Sequence, residues 1–131
     1  MDAAGEYILK GMALWSYDHE ILNAASWQKY SGQLGVSFHR HRGKIYLTDI
    51  AIVIDGANFL QIALSSLREI YLGCDEIYQP GYLKNFGLWT KPLRLQYYVG
   101  TAAVSQIYLM INQGIVNKNP IWYDAIVSML S

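Results

Sequence analysis

The sequence predicts a mainly β domain closed by a helix at its C-terminal end. Three observations carry this reading. Tyr7 to Trp15 alternates with the period of a strand, the run IAIVI from Ile50 is β-branched enough for a buried strand, and Asn119-Pro120 opens a stretch of helical periodicity. With 131 residues the chain is about one domain's worth, long enough to close one core.

In the first strand, YILKGMALW, the residues Tyr7, Leu9, Gly11, Ala13 and Trp15 form the cleaner apolar face, and Ile8, Lys10, Met12 and Leu14 the other. From Ser16 to Arg42 the pattern is weakest: His19 to Tyr30 fits a short amphipathic helix, and Gln33 to His39 reads as extended. Gly43 opens GKIYLTD, a strand, and IAIVI follows it. Asp55-Gly56 is among the best pairs for a tight turn, so IAIVI is expected to fold back against NFLQIAL.

SSLREIYLG reads as extended chain or as a short turn leading into a strand. YQPGYLKNFGLWT is punctuated by Gly, Pro and Asn and reads as a hairpin or loop. Pro92 places KPLRLQYYV at the start of a strand. VSQIYLMIN fits a strand or a short helix. Asn119 can then cap a helix with Pro120 at its first turn, and Trp122, Ala125, Ile126 and Met129 line one stripe that needs a sheet to cover it.

Composition narrows the classes of function. A hydrophobic share of 53% against a charged share of 15% gives ample material to offset the entropy of folding. Ten basic residues balance ten acidic ones, so no global field draws the chain to nucleic acid, and nucleic-acid binding is disfavoured. The lone Cys74 allows no internal disulfide and reads as a small buried hydrophobe. No Cys/His spacing implies zinc, so neither a metal nor another cofactor is expected. MDAAGEYILKG lacks the pattern of a secretion signal and no apolar stretch nears ~20 residues, which places the protein in the cytoplasm as an expectation.

The order of elements resembles the bacterial PH-like and GRAM-like families. Gly5-Glu6 leads into YILKGMALW, Gly43 opens a strand ending in Leu47-Thr48, IAIVI follows, SSLREI places a serine before spaced apolar residues, and Trp122 begins the last helix. Asp49 followed by Ile50-Ala51 departs from that pattern, and Asp18 to Arg42 needs an insertion or extra strands. The resemblance implies a PH-like split β-barrel of about seven antiparallel strands, capped by a helix over about 120–130. It also implies a scaffold that in many relatives binds phosphoinositides, other lipids or protein segments.

The candidate sites are two. His39, Arg40, His41, Arg42 and Lys44 form the one concentrated basic cluster; if extended, Arg40, Arg42 and Lys44 fall on one face and suit phosphate oxygens. The alternative is a charged edge strand that resists aggregation. The second candidate is the aromatic loop with Tyr78, Tyr82, Phe86 and Trp89, which if exposed would meet a partner and otherwise covers an open end of the barrel. Ser, His and Asp show no catalytic spacing, and the adjacent Asp75 and Glu76 read as hydrated carboxylates rather than an acid–base pair. The expected function is a non-catalytic binding module for an anionic lipid headgroup or peptide, peripheral at a membrane. The alternative is a protein-interaction module, including self-assembly into a homo-oligomer through the aromatic loop or an open strand edge.

Overall fold

The computed structural model describes residues 7–29, 37–83, 91–113 and 116–130. Strand β1 (Leu9–Tyr17) is followed by two short helices, α1 (Asp18–Asn23) and α2 (Ser26–Lys29). A meander of β2 (His41–Leu47), β3 (Ala51–Gly56) and β4 (Leu60–Ala63) comes next. A 3₁₀ turn at Leu64–Ser66 rounds the corner into β5 (Leu67–Leu72), and β6 (Leu93–Val99) and β7 (Ala103–Gln113) complete the second meander. A two-residue strand, β8 (Val116–Asn117), pairs with the end of β7 and leads into α3 (Asn119–Leu130).

The seven main strands form one antiparallel sheet in the order β4-β3-β2-β1-β7-β6-β5. That sheet curls into a nearly closed barrel, and α3 packs on β5 and β7. The first strand bridges the two meanders: Ala13 pairs with Gly43 of β2 on one side and with Ile111 of β7 on the other.

Alternation decides what fills the barrel. Ala13 and Trp15 of β1 point inward with Ile45 and Leu47, Ile52 and Ile54, Leu93 and Leu95, and Ile107, Leu109 and Ile111. The helix closes this core with Trp122 and Ile126, both buried, while Ala125 and Met129 pack half-buried beside them. The stripe read from the sequence is therefore the face that α3 buries.

A second core lies outside the barrel wall. Ile21, Phe38, Tyr78, Tyr82 and Leu83 cover Tyr108 and Met110, the outward residues of β7, and Leu14 of β1 joins them. Ile21 and Phe38 from the insertion between β1 and β2, with Tyr78, Tyr82 and Leu83 after β5, thus together cover the outer face of the two central strands. This also explains why Ser16, an outward residue, is fully buried.

Several expectations are corrected. The stretch from His19 to Tyr30 is not one helix; α1 ends at Asn23 and α2 begins at Ser26, and Tyr30 lies outside the described residues. Asp55-Gly56 is not the hairpin turn. The pair extends β3, with Asp55 opposite Lys44 and Gly56 opposite Gly43, and the chain reverses over residues 57–59 to fold β4 back against β3 as expected. The reason is a close approach of backbones: a Cβ on Gly43 would sit 2.8 Å from the Asp55 carbonyl oxygen, so the two glycines are needed to bring β2 and β3 together. VSQIYLMIN, open between strand and helix, is strand throughout. Of Gln33 to His39, residues 33–36 lie outside the described residues, and Ser37 to His39 belong to no strand.

Candidate functional site

The basic cluster sits where the insertion rejoins the barrel. Arg40 occupies a bend just before β2, its backbone N–H donating to Ser16 Oγ at 2.8 Å, and β2 starts with the next residue. From there alternation sorts the cluster. Arg42 and Lys44 point outward and are exposed, whereas Gly43, Ile45 and Leu47 point inward and are buried.

Cross-strand pairing sets the neighbours of these two cations. Lys44 stands opposite Met12, Arg42 opposite Leu14, and Tyr46 opposite Lys10, so Lys10 shares the outer face of the β1–β2 ribbon with them. Lys10 is exposed, with its Nζ 5.6 Å from the centre of the Tyr7 ring. Neither Arg42 nor Lys44 forms an ion pair among the described residues, and one carboxylate, Asp55, lies across from Lys44 on β3. Arg42 and Lys44 are ~7 Å apart along the strand, close enough for two long side chains to converge on one phosphate group.

Arg40 behaves differently. Its guanidinium lies 5.0 Å from the Phe38 ring centre and donates from Nη2 to Gln28 Oε1 at 3.1 Å. That bond ties the basic cluster to α2, where Trp27, next to Gln28, is 78% exposed. Leu22 of α1 is exposed as well. An exposed tryptophan therefore stands next in sequence to the residue that Arg40 bonds.

The two histidines do not act with the cations. His39 Nδ1 lies 2.9 Å from the Ser37 carbonyl oxygen. His41 turns the other way, packing tilted against Trp15 with ring centres 4.4 Å apart, its Nε2 2.7 Å from Glu20 Oε2 and its Nδ1 2.8 Å from Asn58 Nδ2. With the Asn58 amide donating to Nδ1, Nε2 carries the proton that Glu20 accepts. Glu20 Oε1 also accepts the Tyr17 backbone N–H, so His41 and Glu20 lock α1 against the barrel end. Among the described residues no three of His, Cys, Asp and Glu converge as a metal site would need.

The aromatic loop is corrected in part. Tyr78 and Tyr82 are buried in the second core, with the Tyr78 hydroxyl donating to the Phe38 carbonyl oxygen at 2.6 Å, so neither ring offers a surface to a partner. Burial pushes the Tyr78 phenol far above its ordinary range. Phe86 and Trp89 lie outside the described residues.

Asp75 is the polar residue whose role the sequence concealed. It is no hydrated carboxylate: Oδ1 accepts the Ile77 and Tyr78 N–H groups, and Oδ2 accepts the Tyr108 hydroxyl at 2.6 Å and Arg94 Nη1 at 2.9 Å. Burial alone would raise its pKa, but these hydrogen bonds from Tyr108, Tyr78, Arg94 and Ile77 outweigh it and hold the carboxyl below the usual range. Arg94 also reaches Glu69, and Gln106 donates to the Tyr108 oxygen. Every lone pair of Asp75 is thereby spent on fastening the segment after β5 to β6 and β7, a structural use that leaves no free base. Cys74 beside it is half-buried, its thiol pushed up by burial and then by Asp75, which keeps it in the unreactive form.

A cleft of about 360 Å³ opens beside the free edge of β4. Its lining comes from all of β4, from Tyr97 to Val99 at the end of β6, and from Tyr17, Ser66 and Ser105. None of these residues carries a charge. The Tyr97 hydroxyl, bonded to Ser105 and Tyr17, has its pKa pushed up to about 12 by burial.

No protein-family model, no curated protein and no solved structure matches this chain.

Proposed function

We propose that this chain is a non-catalytic binding module on a PH-like split barrel, and that it docks on an anionic phosphorylated surface through the outer face of β2. The observation that carries the reading is the pair Arg42 and Lys44, exposed side by side with no ion pair among the described residues and with Lys10 on the neighbouring strand. An edge strand that merely resists aggregation would explain basic residues at an open sheet margin. Yet β2 is paired on both sides, by β1 and β3, so that explanation loses its premise.

The surroundings favour a membrane as the bearer of the anions. Exposed Trp27 adjoins Gln28, the hydrogen-bond partner of Arg40, and tryptophan with basic residues is the combination that partitions to the headgroup boundary of a bilayer. With zero net charge over the whole chain, attraction to such a surface is local and acts only within about a Debye length. The protein accordingly acts in the cytoplasm as a reversible peripheral module. A protein-interaction role is the second reading, and the open cleft beside β4 is the observation that favours it.

The test is co-sedimentation with neutral and anionic vesicles over a salt series, using the natural chain and an Arg42→Glu, Lys44→Glu variant. Binding to anionic vesicles that weakens with salt and is lost in the variant is the expected result. Equal binding of both proteins would overturn the assignment to β2. Adding Trp27→Ser to the natural chain should weaken binding without changing its salt dependence.

A further inference from the structure

We infer that the cleft beside β4 is a second, separate binding site, which takes one extended polypeptide segment by strand addition to that strand. Hydrogen-bond alternation identifies the free groups. The Leu64 N–H donates to the Ile50 carbonyl, so residues 50 and 64 are a hydrogen-bonded pair. In an antiparallel ladder such pairs recur at every second residue, which makes Ile52 with Ile62 and Ile54 with Leu60 the next two. Gln61 and Ala63, opposite Val53 and Ala51, then turn their N–H and C=O groups away from β3 toward the free edge. No strand pairs with that edge among the described residues, and both residues are exposed.

The lining of the cleft selects the occupant. Tyr97, Tyr98 and Val99 line the cleft together with β4, so a strand added to that edge would also meet aromatic and apolar side chains of β6. At the rim Phe59, Tyr98, Val99 and Val104 are between 46% and 58% exposed, an apolar border around unpaired backbone. The lining has no charged side chain, which fits a segment whose inward residues are small and apolar and disfavours an acidic or basic peptide. The other free edge, on β5, is differently placed because α3 packs there. Neither Arg42 nor Lys44 lines this site, which is independent of the membrane reading.

The probe is a random heptapeptide library displayed on phage, selected against the whole chain without lipid. Selected sequences should show alternating uncharged apolar residues, and a synthetic peptide made from them should bind in fluorescence anisotropy. Methylating two alternate backbone nitrogens of that peptide, in the register that faces β4, should weaken it about tenfold or more. Gln61→Pro removes one edge donor without touching the β3–β4 ladder and should weaken the unmodified peptide about tenfold beyond any effect of Gln61→Ala, which keeps the donor. Selection of no alternating sequence, indifference to methylation in both registers, or a loss shared by Gln61→Ala would each overturn the inference. Should Gln61→Pro not fold, the methylated peptides decide the matter on the natural chain.

Discussion

At the scale of single residues, the most constrained side chain in the barrel is Asn119. It is fully buried, its Oδ1 accepts the Ile111 N–H at 2.8 Å, and its Nδ2 donates to the carbonyls of Leu109 at 2.8 Å and Lys91 at 2.6 Å. Asn119→Ala strands the buried Ile111 N–H and Leu109 carbonyl and frees the part-buried Lys91 carbonyl, and should cost about 2–4 kcal/mol, lowering the melting midpoint by roughly 10 °C in calorimetry. Asn119→Asp presents oxygen to two carbonyls and should be at least as harmful; a midpoint unchanged by either substitution would refute the account. Asp75 makes a second prediction. Its pKa is lower in the folded chain than the ~3.9 of an unfolded one, so its contribution is fully present above pH ~4 and is lost as pH falls through the depressed value. Asp75→Asn should therefore lower the urea midpoint at pH 7 and lower it less at pH 3, whereas an equal loss at both would show that the charge plays no part. The sequence located the helix start at Asn119 but expected its side chain to cap the helix, whereas the side chain bonds Ile111, Leu109 and Lys91, partners that no local pattern reveals. It could not assign Asp75, whose partners Arg94 and Tyr108 are 19 and 33 residues away.

At the scale of elements, the strands were legible wherever one face alone is buried. Tyr7 to Trp15 and GKIYLTD alternate, and the structure places their apolar faces inside the barrel as β1 and β2. Legibility failed from Ser16 to Arg42 because the helices described there, α1 and α2, are six and four residues long, too few turns for periodicity to appear. The Asp55-Gly56 pair misled for another reason: turn propensity and close strand approach both ask for glycine, and only the pairing register separates them. This gives a prediction at the element scale. Gly43→Ala drives a Cβ against the Asp55 carbonyl backbone and should destabilise by about 1–3 kcal/mol in urea denaturation. Because the same strand carries Arg42 and Lys44, anionic vesicle binding should fall with it; full stability in Gly43→Ala would mean that β2 and β3 are not held this close.

At the scale of the whole molecule, two cores lie on opposite sides of the same two strands. In β1, Ala13 and Trp15 point into the barrel while Leu14 faces the outer cluster; in β7, Ile107, Leu109 and Ile111 point in while Tyr108 and Met110 point out. Neither core has a strand pair of its own at this wall, so loss of one leaves β1 and β7 with an uncovered apolar face. The outer cluster adds a polar lock, since Asp75 grips Tyr108 and Arg94 on adjacent strands. Unfolding should therefore be a single transition. Tryptophan emission, to which Trp15 and Trp122 of the barrel core contribute, and native-state hydrogen exchange at Tyr78 of the outer cluster should report the same free energy of opening. Exchange at Tyr78 by an opening well below the global value would show instead that the outer layer detaches by itself. The insertion carrying Trp27 would then be a movable arm beside the cations of β2, whereas coincident values make Trp27 and Arg42 parts of one rigid surface whose spacing is set before any membrane is met.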